Sequence, residues 1–491
     1  MDEAGAPAPS SRDARAARAL SGPAAWAVGG RDSALGARRA LAEDATGALD
    51  AARAWDDADR AGGSEPRSGL SGTARGARAL RVRHAGPHRR AGMQGDVEQQ
   101  GFSFDLGALR AAYSRFLAPA QGEAPRILLT GHSHQAWPDV ARDALAACFD
   151  DAARLVDDKW DDAVFPKRAA VGAAILERMG FDRGDDIAFG QNTHELVYRL
   201  ISSLPRRDRP RIVTTDGEFH SLRRQLARLG EDGVEVAWVS VEPRRSLADR
   251  LLAALVPGTA MLAISAVLFE SATVVPRLDE IVARAAEIGA VPLVDAYHAF
   301  NVVPIAWGSA APHVFAVAGG YKYAAMGEGL CWMRAPRGCA LRPAFTGWFA
   351  DFGALAGGGG VGYAPGGARF AGSTFDPCAL YRAAAVLEHW DRFGLTVPRL
   401  RAISLRQTGR ILGHLDAAGR GGDVVSPREP ERRGGFVAVR AARAGDVVQR
   451  LRARGVLVDA RRDVVRIGPA PYLTDAEIDA GVAALVEELD R

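Results

Sequence analysis

Lysine is scarce in this chain, which draws attention to Lys322. Only three of the 62 basic residues are lysines, Lys159, Lys167 and Lys322. An amine can lose its proton and attack a carbonyl group, whereas a guanidinium stays protonated. Lys322 follows an apolar run that ends in Gly319 and Gly320, where the backbone can approach a ligand closely. We therefore interpret Lys322 as a candidate for imine chemistry, with a surface lysine in a turn as the alternative.

An aspartate lies at the end of another apolar run, Val291–Val294. In doubly wound sheets, ligands gather at the carboxyl ends of the strands. An enzyme that uses pyridoxal 5′-phosphate (PLP) needs a carboxylate against the pyridine nitrogen, because the protonated ring draws electrons from the substrate. Asp295 is predicted for that role, with a helix N-cap as the alternative. His298 is either a contact of the same site or a core histidine.

A turn before a predicted helix offers a place for a phosphate group. The segment Gly190–Glu195 leads into the apolar-periodic stretch Glu195–Ser203. Backbone N–H groups at the start of a helix bind anions, so Thr193 and His194 are the predicted contacts. Ordinary capping of the helix is the alternative.

These residues need a scaffold, and the hydrophobic pattern predicts one. Apolar runs alternate with amphipathic stretches from Phe102 onward, and this βαβ rhythm is typical of an α/β fold with a mainly parallel sheet. After Pro398 the pattern changes to that of a smaller α+β domain. The predicted strands are Arg211–Thr215, Val234–Val239, Met261–Ser265, Val291–Val294, Val314–Ala318, Leu330–Met333, Phe436–Val439, Val456–Val458 and Val464–Ile467.

The domain organisation follows from changes in composition. Residues 1–92 contain no Ile, Phe or Tyr and are interpreted as a disordered Ala/Arg/Gly-rich extension, so that Met93 is a candidate for the real start. Residues 93–150 are predicted to form an N-terminal arm. The large cofactor-binding domain is predicted over residues 151–385 and the small C-terminal domain over residues 395–491.

Charge and cysteine content argue against several other classes of protein. A formal net charge of +3 is too small for a sequence-wide attraction to nucleic acid or anionic membranes. An arginine-rich tail that binds nucleic acid is the alternative from another class, but that tail also carries many acids. The four cysteines form no C-x-x-C pair, and no apolar run is long enough to span a bilayer. We expect a cytoplasmic protein without a metal, nucleic-acid or membrane partner.

The order of phosphate turn, aspartate and lysine resembles the class V aminotransferase superfamily of fold-type I PLP enzymes, and most closely kynureninase. The likeness covers about residues 128–472. The segments that carry it are Thr130–Ser133, Asp295–His298, Tyr321–Tyr323, Thr346–Phe349 and Arg466–Tyr472.

The resemblance implies a homodimer with a seven-stranded, mainly parallel sheet in each large domain. It implies that Lys322 tethers PLP and that Arg466 clamps the α-carboxylate of an amino-acid substrate, although Arg466 on a surface is the alternative. Thr374 would reach the phosphate from the neighbouring subunit. The implied cofactor contacts are Thr193, His194, Phe219, His220, Asp295, His298, Tyr321, Lys322, Trp348 and Thr374.

The implied reaction is hydrolytic Cβ–Cγ cleavage that releases alanine. The chain departs from the kynureninase pattern at Glu218–Leu222, where either Phe219 or His220 would stack on the ring, and at Asp157–Trp160, which lacks an expected histidine. A class V aminotransferase or another PLP-dependent Cα or Cβ lyase is therefore the alternative. His132 and His134 together with an acid such as Asp295 offer a weaker zinc hypothesis.

Overall fold

The structure is a computed structural model that describes residues 105–118, 126–204, 210–354 and 360–491. All of them belong to one unit, Gly92–Arg491. The predicted extension, Met93 and the first part of the predicted arm lie outside the described residues.

The strands form where β-branched and other apolar residues follow one another, because such side chains suit a sheet that is buried on both faces. In chain order the strands are β1 (Ile127–Leu128), β2 (Asp186–Gly190), β3 (Arg211–Thr215), β4 (Glu235–Val239), β5 (Thr259–Ser265), β6 (Val291–Asp295), β7 (Phe315–Gly319), β8 (Cys331–Ala335), β9 (Val437–Arg440), β10 (Val456–Leu457), β11 (Asp459–Arg461) and β12 (Val464–Ile467).

Seven of these strands form the central sheet, in the order β2-β8-β7-β6-β5-β3-β4. Neighbours from β7 to β4 run parallel, whereas β8 is antiparallel to both β7 and β2. The predicted seven-stranded, mainly parallel sheet is therefore confirmed. The register places Ser265 beside Asp295 and Asp295 beside Val317, so polar groups collect at the carboxyl ends of β5 and β6.

The α-helices are α1 (Leu106–Ala111), α2 (Ser114–Leu117), α3 (Val140–Leu155), α4 (Phe165–Arg178), α5 (Thr193–Ser202), α6 (His220–Glu231), α7 (Leu247–Ala254), α8 (Leu278–Glu287), α9 (Cys378–Arg392), α10 (Val397–Ala417), α11 (Ala444–Ala453) and α12 (Asp475–Leu489). No helix of the described residues is both long and apolar enough to cross a membrane.

Helices cover both faces of the sheet, because successive residues of a strand point to opposite sides. On one face, Ile212 packs in a core with Leu196 of α5 and Leu226 of α6. On the other face, Val213 packs with Leu251 of α7 and Ile281 of α8. These two layers hold the ends of β6 and β7 in fixed positions.

A second, smaller set of strands lies in the C-terminal part of the chain. β11, β12 and β9 form an antiparallel sheet, and the short β1 near the N-terminal end pairs with β10 in parallel. α12 begins with a capping box in which Thr474 and Glu477 bond to each other's backbone N–H groups. The domain limits drawn from composition stay a prediction.

All nine predicted strands are confirmed, with ends that differ by two residues or fewer. Three strands, β1, β2 and β11, were not predicted from the sequence, and β1 has only two residues. β2 lies at the sheet edge and pairs only with β8, and β11 consists of Asp-Ala-Arg, so neither carries a strong apolar run. Their pairing with distant strands decides their conformation.

Candidate active site

Lys322 lies just beyond the end of β7, and its position depends on the glycines that precede it. A side chain at Gly319 would collide with the Tyr297 hydroxyl and Cys331 Sγ, because both atoms lie within 2.4 Å of where its Cβ would be. Glycine at this position therefore lets β7 lie directly against these two side chains. The Lys322 side chain is buried, with 5% of the residue exposed.

The Lys322 amine is surrounded by rings and by few charges. Its Nζ lies 4.3 Å from the centroid of the Tyr297 ring and 5.1 Å from that of Phe219. His298 Nδ1 lies 3.5 Å away. Burial lowers the pKa of Lys322 to about 7, although the nearby Asp295 carboxylate acts in the opposite direction. A large fraction of the amine is therefore unprotonated and nucleophilic at neutral pH.

This pKa predicts how cofactor uptake should depend on pH. We expect the rate at which PLP attaches to the cofactor-free protein to rise with pH and level off above about 7, because only the unprotonated amine attacks a carbonyl. Stopped-flow absorbance across a pH series measures this rate. A rate that kept rising towards pH 10, the usual lysine range, would contradict the burial effect.

A cavity of about 200 Å³ opens in front of Lys322. Seven of the predicted site residues line it, namely Thr193, His194, Phe219, Asp295, His298, Tyr321 and Lys322. They come from four separate segments of the chain: the start of α5, the residue before α6, the end of β6 with the turn after it, and the turn after β7. The fold brings these predicted residues together at one edge of the sheet.

Asp295 ends β6 and forms part of the cavity wall. One carboxylate oxygen accepts a hydrogen bond of 2.8 Å from the Tyr297 backbone N–H. Burial raises the pKa of Asp295, while this hydrogen bond and the Lys322 charge lower it. A cationic group bound in the cavity would stabilise the ionised form further.

A second carboxyl group, Glu218, is buried close to Asp295. Thr215 Oγ1 and Ser265 Oγ donate hydrogen bonds of 2.5 and 2.6 Å to its two oxygens. Burial raises the pKa of Glu218 to about 7, and the charge of Asp295 contributes in the same direction. The pair therefore carries less than two full negative charges at neutral pH.

The start of α5 forms another part of the cavity wall. Asn192 caps this helix through its side chain, which accepts a hydrogen bond of 2.8 Å from the Glu195 N–H. The next residues, Thr193 and His194, belong to the first helical turn, whose N–H groups have no partners within the helix. The structure thus combines the two alternatives from sequence, a capped helix and a potential anion site.

Arg466 is buried on β12 and is held by a carboxylate within the chain. Its Nε donates to Asp459 Oδ1 at 2.9 Å, its Nη2 donates to Asp459 Oδ2, and its Nη1 donates to the Phe269 carbonyl at 2.6 Å. These three bonds leave one N–H on each terminal nitrogen for another acceptor. The centroid of the Phe436 ring lies 5.7 Å from the Arg466 guanidinium carbon and 6.1 Å from the ring centroid of His298, which lines the cavity, so Arg466 lies near that cavity. The alternative of a surface arginine is wrong.

A fully buried histidine, His132, contacts the Asp459 carboxylate of the Arg466–Asp459 ion pair. His132 Nε2 lies 2.8 Å from Asp459 Oδ1. Burial lowers the pKa of His132 to about 4, so the ring is neutral and donates this hydrogen bond. Burial would raise the pKa of Asp459, but His132 and Arg466 together hold it well below its usual range. Asp459 is thus a permanent anion that orients Arg466.

The predicted role of Arg466 gives a second test. We expect Arg466→Lys to raise KM for α-amino acids by about 10²-fold while PLP content stays unchanged, because lysine keeps the charge beside Asp459 but loses the forked geometry. Steady-state kinetics and the cofactor absorbance measure the two quantities. Arg466→Ala would leave the Asp459 carboxylate with only Arg461, at 3.6 Å, as a cationic partner and would destabilise the fold, so the lysine variant is the cleaner comparison. An unchanged KM would contradict the role.

The zinc hypothesis fails on geometry. His132 is buried and bonded to Asp459, whereas the His134 side chain is 72% exposed and stacks on Tyr321. Within residues 105–118, 126–204, 210–354 and 360–491, no group of three or more His, Cys, Asp or Glu side chains is arranged to hold a metal ion.

Three predicted contacts lie outside the Lys322 cavity. His220 is exposed and packs against Phe269, so of the two stacking candidates only Phe219 faces the cavity. Trp348 is 43% exposed and contacts Phe349 and Phe352. Within one chain the structure does not bring it to Lys322, and its role stays a prediction.

Thr374 lines a second cavity of about 310 Å³. This cavity adjoins the first, because Gln191, Glu328 and Gly329 line both. The role predicted for Thr374, a contact to a neighbouring subunit's cofactor, stays a prediction.

Some residues of the site were not predicted from the sequence. Asp459 and Arg466 face each other across the hairpin of β11 and β12, in direct register. A hairpin prediction around Arg461–Asp463 would have paired them, but β11 gives no strand signal. Tyr297 and Cys331, which contact each other beside Lys322 at 3.8 Å, gave no signal of their own.

Comparison with known proteins agrees with this geometry. A family model described as "Kynureninase C-terminal domain" matches residues 400–485. Residues 400–485 are therefore similar to the C-terminal domain of kynureninases. The kynureninase of Salinispora tropica is 44% identical over 91 residues, which cover 17% of this chain and 21% of that protein. The chain thus spans about a fifth of the length of this curated relative.

Solved structures extend the likeness to most of the fold. A mutant of C-DES, with glycine covalently linked to its PLP cofactor, superposes with a TM-score of 0.66 and 19% identity over 75% of this chain and 100% of that one. A cysteine desulfurase from Thermococcus onnurineus gives 0.61 and 17% identity over 74% and 95% of the two chains. The predicted fold-type I architecture is confirmed, as is the resemblance to kynureninase in the C-terminal region.

Proposed function

We propose that this protein is a PLP-dependent enzyme that acts on an amino acid. The observation that carries the proposal is the buried Lys322 amine, which opens into a cavity that Asp295 also lines. A lysine buried without a direct carboxylate partner is costly unless it works as a free amine, and its lowered pKa fits that use.

The residues of the cavity fit PLP. Lys322 would tether the cofactor, Asp295 would face the pyridine nitrogen, and the first turn of α5 would hold the phosphate. Phe219 would stack on the ring. When bound, PLP supplies an electron-withdrawing ring that makes the substrate Cα–H acidic.

The chain's own residues then account for proton transfer and substrate orientation. Arg466 would bind the α-carboxylate through its two remaining N–H groups, with Asp459 fixing its plane. The free Lys322 Nζ would accept the Cα proton, for which a pKa of about 7 is well suited.

We propose a kynureninase-like reaction. Water adds to the side-chain carbonyl, the Cβ–Cγ bond breaks, and the products are alanine and a carboxylic acid that carries the aryl group. The C-terminal family match supports this choice, because Arg466 lies within the matched residues.

The alternative is transamination or another Cα or Cβ lyase reaction. The segment Asp157–Trp160, which lacks the histidine expected near an aryl pocket, favours it. Solved structures with this fold include a cystine C–S lyase and cysteine desulfurases, so the fold hosts other chemistry. A desulfurase mechanism needs a mobile cysteine in the C-terminal part of the chain. No cysteine follows Cys378 in this sequence, which argues against that mechanism.

Product analysis separates these reactions. Holoenzyme incubated with kynurenine or its hydroxy analogue should release alanine and the matching anthranilate in equal amounts, as measured by chromatography. If neither aryl product forms while amino-acid donors yield keto acids, the hydrolytic assignment falls and the aminotransferase takes its place.

We also propose a homodimer in the cytoplasm. Exposed aromatic residues support the dimer, since Trp348 is 43% and Phe345 61% exposed, and such rings are typical of subunit interfaces. Sedimentation of the holoprotein should give twice the chain mass, and fractionation of cells tests the location.

A further inference from the structure

The second cavity contains a cation that has no carboxylate partner among the described residues. Arg168, on α4, is half-buried in its wall, and its guanidinium carbon lies 5.7 Å from the centroid of the Phe189 ring. Burial lowers the pKa of Arg168, and no acidic group within the described part of the chain offsets that effect. A desolvated guanidinium without an anion is costly, and arginine is suited to binding one.

The acids around this cavity already have partners. Glu195 forms an ion pair with Arg199 and also accepts a hydrogen bond of 3.1 Å from the Gln191 N–H. Glu328 lies 3.8 Å from His134, and Asp376 accepts a hydrogen bond of 2.9 Å from the Cys378 N–H. None of these carboxylates is paired with Arg168.

The third arginine that lines this cavity, after Arg168 and Arg199, also has hydrogen-bond partners within the chain. Arg382 donates to the carbonyl oxygens of Met326 and Glu328. Phe349 and Phe375 supply apolar walls on the cavity's other sides. The cavity therefore offers one uncommitted positive group in a partly apolar space, which is typical of a site for an anionic group on an organic ligand.

We infer that Arg168 binds the distal carboxylate of an amino-acid substrate whose α-carbon lies in the Lys322 cavity. The two cavities share wall residues, so one ligand can extend through both. The inference rests on the proposed PLP-dependent action on an amino acid, which would enter from Lys322. It fits the alternative reactions and not the kynureninase-like one, because the kynurenine side chain ends in a neutral aniline. It assigns a substrate class: an α-amino acid with an ionised group at the far end of its side chain.

The experiment uses calorimetry on the full-length holoprotein, with succinate as the probe and butyrate as its singly charged counterpart. Succinate should bind more tightly than butyrate. Arg168→Gln should weaken succinate binding by about tenfold or more and leave butyrate unchanged, while Arg168→Lys should retain part of the preference. The matched control is Arg183→Gln, since Arg183 is exposed and paired with Glu177 outside both cavities.

Several results would overturn the inference. Equal affinities for succinate and butyrate, or an unchanged affinity for succinate in Arg168→Gln, would show that Arg168 does not form a carboxylate site. Binding of inorganic phosphate but not of succinate at Arg168 would show that the site takes a different class of anion. Loss of the dimer in Arg168→Gln, seen by sedimentation, means that an acid of the neighbouring subunit is its partner.

The readout separates this inference from the proposed function. PLP absorbance is recorded on each sample before titration. If PLP is bound and Arg168→Gln does not change the affinity for succinate, only the proposed carboxylate site at Arg168 is refuted. If no PLP binds, the proposed function is refuted. Succinate binding that depends on Arg168 in a protein without PLP would refute the shared-substrate inference as well, because it would show an anion site that has no connection to PLP chemistry.

Discussion

Lys322→Ala is expected to lose the yellow absorption of lysine-bound PLP and to reduce turnover by about 10⁴-fold or more. The amine is both the proposed tether and the proposed base, so a single change removes both functions. Lys322→Arg should fail equally, because a guanidinium does not give up its proton at neutral pH. Absorbance spectra and single-turnover kinetics measure the two losses.

Loss of the fold can be distinguished from loss of chemistry in these variants. Lys322 is buried and its protonated form is destabilised by burial, so alanine removes a costly group and should not lower the melting temperature by much. Lys167→Ala is the matched control, because Lys167 is a half-buried amine that likewise lies beside a tyrosine, 4.5 Å from the centroid of the Tyr381 ring, but lies outside the Lys322 cavity. Cofactor that borohydride still fixes covalently to Lys322→Ala would refute the assignment.

Asp295→Asn is expected to retain PLP but to lose turnover by about 10³-fold, because the amide cannot stabilise a positive charge on the pyridine nitrogen. The same change removes the negative charge that raises the pKa of Lys322. The pH at which PLP uptake by the cofactor-free protein levels off should therefore fall below 7, the value expected for the wild type. Kinetics and the uptake series test the two consequences independently.

Glu218→Gln is the matched control for Asp295→Asn. Glu218 is a buried carboxyl of the same region, but its raised pKa of about 7 leaves it partly neutral. Glutamine can accept a hydrogen bond from one of the Thr215 and Ser265 hydroxyls and donate one to the other. We expect a much smaller loss of turnover. Equal losses in both variants would mean that Asp295 has no special position relative to the cofactor.

The sequence by itself determined the scaffold and the reactive group. Apolar runs such as Val291–Val294 predicted strands within two residues, because the side-chain pattern of a strand is local. Lys322 stood out by chemical type and by the glycines before it. The positions of Thr193 and Asp295 followed from the rule that ligands gather at strand and helix ends.

Only the tertiary structure decided which groups meet. Arg466 is oriented by Asp459 and His132, and no local pattern links residues that lie 327 positions apart in sequence, as His132 and Asp459 do. The choice of Phe219 over His220 depends on which way the turn before α6 faces. The charge of Arg168 has no carboxylate partner among the described residues, and only the structure shows this, because burial and the partners of neighbouring acids are set by long-range packing.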